Sequence, residues 1–217
     1  MTQFETEMQD VKSEVINMWD LVLLQLSKAK EAMLNFDKDL AREVILKEKR
    51  VNALEIKIDR DCENIFALYC PVAIDLRFLL AVLKINNNLE RIGDIADGIA
   101  KYIVDSPVKY NMEILEAAGV IKMFEDSISI FTDTRVAFEF ENTLLARTIF
   151  SRDDILDEIN KKADDNISKF IIKDPGVISQ SLYILSIIRK LERVGDQSKN
   201  IAEEIIFYVE AKVLKHQ

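Results

Sequence analysis

Leu89-Glu90-Arg91-Ile92-Gly93-Asp94-Ile95-Ala96-Asp97-Gly98-Ile99-Ala100 and Leu191-Glu192-Arg193-Val194-Gly195-Asp196-Gln197-Ser198-Lys199-Asn200-Ile201-Ala202 decide the fold. The two stretches lie 102 residues apart and share seven of twelve positions. Leu89, Ile92, Ala96 and Ile99 recur at spacings of three and four, which is one face of a helix. Each stretch also carries a glycine, which costs a helix interior about 1 kcal/mol relative to alanine. Glu90 and Asp94, like Glu192 and Asp196, are like charges four apart, a further cost of a few tenths of a kcal/mol. A helix that accepts both penalties twice answers to something outside itself. A missing side chain lets a neighbouring helix or a ligand come close.

Helical periodicity runs outward from both stretches. Phe4, Met8, Val11, Val15, Met18 and Val22 step by four and three in a first helix. Leu40, Val44, Val51, Leu54, Ile58 and Ile65 mark a second, ended by Tyr69-Cys70-Pro71, because the residue before proline leaves the helical region. Leu79, Val82, Leu89, Ile92, Ala96, Ile99 and Ile103 form a third, and Asp105-Ser106-Pro107 breaks the chain into halves. Leu115 to Phe138 reads as helix four and Leu156 to Phe170 as helix five. After the turn Lys173-Asp174-Pro175-Gly176, Ile184 to Val209 reads as helix six. The expectation is an all-α protein of six long helices, arranged as two tandem three-helix bundles over residues 1–105 and 106–217, with an internal repeat.

Acidic stripes run beside the apolar ones. Glu48, Asn52, Glu55 and Asp59 share a side of helix two, and Asp153, Asp157, Asn160 and Asp164 share a side of helix five. Counting from Pro71, Asn52 and Glu48 lie 19 and 23 residues before it, and Glu90 and Asp94 lie 19 and 23 after it. Antiparallel hairpin packing therefore brings these four to one level. From Pro175, Asp157 and Asp153 lie 18 and 22 before, and Glu192 and Asp196 lie 17 and 21 after. Each half would gather four oxygen donors, a set that suits a hard divalent or trivalent cation such as Mg, Mn or Fe(III), and also Zn. The alternative is a solvated or salt-bridged face: Arg91 stands three before Asp94, Arg193 three before Asp196, and Arg189 three before Glu192.

Composition narrows the function. The chain has a net charge of −9 and is 49% hydrophobic and 31% charged, which argues against nucleic acid as a partner. Its N-terminal MTQFETEMQD is not a signal peptide and no apolar run reaches the length of a membrane span, so a cytoplasmic protein is expected. Cys62 and Cys70 are eight apart on one helix, too far for a disulfide, and are expected to be buried thiols. The one histidine, His216, adjoins the C-terminus. That removes the Glu-x-x-His pattern of di-iron bundles and a mid-helix phosphotransfer histidine. No phosphate-binding glycine loop is present, so catalysis is not expected.

The two LER-x-Gly-Asp stretches, the following Asn200-Ile201-Ala202-Glu203, and Pro71-Val72-Ala73-Ile74-Asp75-Leu76-Arg77 resemble the PhoU family over nearly the whole chain. The resemblance implies metal clusters, commonly iron or zinc, at the Glu/Asp-x-x-x-Asp motifs. On this chain these are Glu90/Asp94 and Glu192/Asp196, partnered by Asp153/Asp157 and by Glu48/Asn52. Asn52 and Gly98 depart from the second copy and weaken the first site. The resemblance also implies negative regulation of phosphate uptake and of the phosphate-starvation response. The protein would link the ATPase subunit of a phosphate ABC transporter to a phosphate-sensing histidine kinase, peripheral to the membrane through these protein partners. A metal-free helical adaptor and a regulator of a sodium–phosphate cotransporter are the alternatives. Exposed apolar residues on long helices would support a homodimer.

Overall fold

The computed structural model describes residues 2–213; His216 lies outside them. The described residues form helices without strands. Helix α1 (Gln3–Asn35) begins at a capping box, in which the Thr2 hydroxyl accepts from the Glu5 amide and the Glu5 carboxylate accepts from the Thr2 amide. Helix α2 (Lys38–Tyr69) is capped by Asp37, whose carboxylate accepts from the Asp39 and Leu40 amides. It stops at Cys70, which adopts the left-handed conformation before Pro71. Helix α3 (Ala73–Asp105) ends where Ser106-Pro107 breaks the chain.

The second half departs from expectation once. The single fourth helix expected across Leu115–Phe138 is two helices, α4 (Met112–Ala117) and α5 (Val120–Glu139). Gly119 between them has φ +76°, a left-handed backbone that ends one helix and redirects the next. Helix α6 (Thr143–Lys173) starts at the Asn142 cap. A single 3-10 turn, Pro175–Val177, leads into α7 (Ile178–Glu210), with the Asp174 carboxylate accepting from the Gly176 amide. Cys62 is buried as expected, but Cys70 is exposed, because the left-handed cap turns it out of the bundle.

Helices α1, α2 and α3 pack on one another, as do α5, α6 and α7. The halves also share contacts. Helices α3 and α7 run antiparallel along one seam: the Arg77 Nε donates to the Tyr208 carbonyl, Lys84 pairs with Glu204, and Lys190 lies against Gly98. A second junction joins α1 to α5, where fully buried Trp19 stacks on Phe131 at 5.2 Å and donates to its carbonyl at 3.2 Å. Phe78, Phe138 and Tyr208 extend this aromatic cluster to α3 and α7.

Candidate functional site

The repeated glycines lie where one helix presses on the next. A Cβ on Gly93 would sit 3.1 Å from Glu48 Oε2 and 3.2 Å from Val51 Cγ1, so α2 rides directly over α3 there. A Cβ on Gly195 would sit 2.3 Å from Asp153 Oδ1 and 2.6 Å from Leu156 Cδ1, an approach only glycine permits. Each glycine thus seats a carboxylate from the preceding helix.

Both seated carboxylates are buried, Glu48 at 8% exposure and Asp153 at 2%. In the first half, Gln25 of α1 reaches across and its Nε2 donates to Glu48 Oε2 at 3.0 Å, while Glu48 Oε1 has no hydrogen-bond partner. Burial pushes the Glu48 carboxyl up to about 7, and the neighbouring Asp94, Asp97 and Glu90 push the same way against the Gln25 hydrogen bond. Burial also raises Glu90, followed by Asp94 and Glu55. Glu55 is itself raised by burial, then by Asp59 and, less, by Asp94. The α2–α3 register is held by Asn86, whose amide donates to the Glu55 carbonyl at 2.9 Å and to Asp59 Oδ1 at 2.8 Å.

In the second half, Asp153 Oδ1 has no partner and Oδ2 lies 3.6 Å from Lys199 Nζ. Burial raises this carboxyl to about 6, with Asp196 adding to the shift and Lys199 opposing it. Glu192 is raised by burial, then by Asp196, Asp157 and Asp153, with Arg193 opposing. Asp196 is raised by burial and by Asp157. These four carboxylates occupy one electrostatic neighbourhood.

The level count therefore places its residues well in the second half and partly in the first. Glu48, Glu90 and Asp94 share one electrostatic neighbourhood, which Glu55 also enters, whereas Asn52 is exposed. The intrahelical ion pairs weighed above do not form among the described residues. Arg189 reaches Asp164 at 3.6 Å rather than Glu192, and Glu90, Asp94, Glu192 and Asp196 stay free of salt bridges. The sequence reading missed Gln25, although a polar residue inside the α1 apolar stripe marks it. Asp97, on the same acidic stripe of α3 as Glu90 and Asp94, is buried and pairs with Lys101 at 2.5 Å.

Among the described residues, no three Asp, Glu, His or Cys side chains close on one point tightly enough to hold a metal ion. The donor chemistry nevertheless fits a hard cation. Two buried carboxylates each keep an oxygen without a partner, and like-charged Glu90 and Asp94, or Glu192 and Asp196, stand in their electrostatic surroundings.

A PhoU domain model matches the chain twice, at residues 15–103 and 120–205, so each copy holds one glycine-seated carboxylate. The chain belongs to the PhoU family. The phosphate-specific transport system accessory protein PhoU homolog of Aquifex aeolicus is 32% identical over 216 residues, covering 97% of this chain and 95% of that protein. The phosphate-specific transport system accessory protein PhoU of Escherichia coli K12 is 32% identical over 214 residues, covering 99% and 88%. The crystal structure of PhoU from Pseudomonas aeruginosa superposes with a TM-score of 0.88 at 31% identity, covering 97% of this chain and 100% of that one. That of the phosphate transport system regulatory protein PhoU from Streptococcus pneumoniae gives 0.87 at 28%, covering 98% and 100%. Among the described residues no helix is long and apolar enough to cross a membrane.

Proposed function

We propose that this chain is a negative regulator of phosphate uptake and of the phosphate-starvation response. It acts in the cytoplasm as a metal-binding adaptor between the ATPase of a phosphate ABC transporter and a phosphate-sensing histidine kinase. The names of its PhoU relatives support the phosphate-transport context. The observation that carries the metal reading is the pair of buried carboxylates, Glu48 and Asp153, each seated on a glycine with one oxygen unpartnered. Each of the two units, residues 1–105 and 106–217, carries one site. Glu48, Glu90 and Asp94 would hold the ion in the first, with Asn52 or Glu55 supplying a further oxygen. Asp153, Asp157, Glu192 and Asp196 would hold it in the second. Iron or zinc is the expected ion, with Mn and Mg as the other oxygen-seeking choices. When bound, the cation neutralises carboxylates that otherwise repel one another. The role is regulatory rather than catalytic.

Metal analysis of protein purified without an affinity tag tests the site. Bound metal should be present, and should fall by about half or more in Glu192→Ala/Asp196→Ala with helical content unchanged, since one of two sites is removed. Metal content that ignores both substitutions overturns the assignment. For the regulatory role, deletion of the gene should raise alkaline phosphatase in phosphate-rich medium, and affinity capture should recover the ATPase and the kinase. Phosphatase that stays repressed would argue against it.

A further inference from the structure

The internal repeat builds two related grooves along the α3–α7 seam, and side chains at equivalent positions give them different charge. One groove, of about 320 Å³, is lined by Arg91, Lys101, Lys190 and Arg193 together with Asp94 and Asp97. The other, of about 440 Å³, carries Asn88 where the first has Lys190, Asn200 where it has Gly98, and Glu203 where it has Lys101, each at the 102-residue offset. Arg91 borders this groove as well as the first, and its other cation, Lys84, is already paired with buried Glu204 at 3.0 Å. The second groove thus serves as an internal comparison for the first.

In the first groove Asp97 is held by Lys101 at 2.5 Å. Three further cations, Arg91, Lys190 and Arg193, line the groove with Asp94, which gives the lining an excess of two positive charges on a chain of net −9; outside the lining, Arg91 also faces Glu90, and Arg193 faces Glu192 and Asp196. Among the described residues none of the three forms a salt bridge. Lys190 is placed with care. Its chain crosses α3 over Gly98, where a Cβ would lie 2.4 Å from Nζ and 2.8 Å from Cε, and its ammonium stands 5.7 Å from the Tyr102 ring centroid. A side chain at position 98 would displace the Lys190 ammonium from this place.

We propose that this groove binds a phosphate-type oxyanion, as the free ion or as the phosphoryl end of a small phosphomonoester, held by Lys190, Arg193 and Arg91. Guanidinium forks donate in pairs to a tetrahedral oxyanion, and an ammonium adds a mobile point charge. A concave, cation-lined surface concentrates such an anion even on an acidic protein. The site goes beyond the metal reading and requires no bound metal.

Titration calorimetry on the full chain, in chelator and at low salt, is the test, with inorganic phosphate and glycerol 3-phosphate as separate probes. Saturable binding of either is expected, and the tighter probe identifies the source of the phosphoryl group. Lys190→Asn and Arg193→Gln should each weaken it about tenfold or more, the loss of one charge-assisted contact. Lys190→Asn installs the residue that the repeat already carries at Asn88, so its melting temperature should hold; Asn88→Ala in the other groove should leave binding intact. Absence of binding by both probes, binding unchanged in Lys190→Asn and Arg193→Gln, or binding seen only with added metal would overturn the proposal.

Discussion

At Gly195 two opposing magnitudes meet. Alanine would gain about 1 kcal/mol of helix propensity. Its Cβ would also fall 2.3 Å from Asp153 Oδ1 and 2.6 Å from Leu156 Cδ1, and overpacking of that kind costs about 1–3 kcal/mol. The buried aspartate cannot swing freely, so the clash wins. At Gly93 the corresponding distances are 3.1 Å to Glu48 Oε2 and 3.2 Å to Val51 Cγ1, which shifts of a few tenths of an ångström in both neighbours relieve. Gly195→Ala should therefore destabilise the protein in denaturant titrations by about 1–2 kcal/mol net, while Gly93→Ala stays within about 0.5 kcal/mol of the parent. Equal stability of both variants would mean that α6 does not bear on α7 at this point. The glycines were legible as anomalies in a helical pattern. Their partners, Glu48 and Asp153, followed from counting back from the prolines.

At the scale of helices, periodicity located all the long elements because each buries one stripe. It failed at Gly119, where apolar spacing continues on both sides while the backbone reverses hand. Nor did it show which helix of one half meets the other half. Trp19 makes that junction: it is fully buried, stacks on Phe131 and lies 5.8 Å from Phe138. In sequence it is one more apolar residue beside Met18. Trp19→Ala should cost about 3–5 kcal/mol by loss of buried aromatic volume, measured as a lower denaturation midpoint with an unchanged slope. A cost below about 1 kcal/mol would place the weight of the α1–α5 contact elsewhere.

For the whole molecule, the seated carboxylates make stability depend on pH. Glu48 moves from 4.5 in the unfolded chain to about 7 when folded, and Asp153 from 3.8 to about 6. The folded state then binds more protons than the unfolded state between those values. This contribution is complete below the unfolded values and is lost as pH rises through the folded ones. Glu125, Glu158 and Glu210, which paired lysines and other donors lower, act in the opposite sense only below the usual 4.5. The chelated protein should thus melt higher at pH 5.5 than at pH 8, and Glu48→Gln should narrow the gap. A melting temperature that rises steadily toward pH 8 would show that these carboxyls are not buried as described. Bound metal should reverse the trend, since a cation competes with protons for the same oxygens.

Periodicity, proline punctuation and the 102-residue repeat were enough to establish the helical class, the hairpin register and the level of the acidic residues. All three are written along a single chain direction, where a spacing of three or four has one geometric meaning. Only the tertiary structure decided which acids are buried. Glu48 is pinned by Gln25 of a third helix, while its stripe-mate Asn52 faces out. It also decided that Lys190 crosses the seam to fill the space above Gly98. Such choices depend on residues 23 or 92 positions apart, whose meeting is set by how three-helix units pack together rather than by any pattern within one helix.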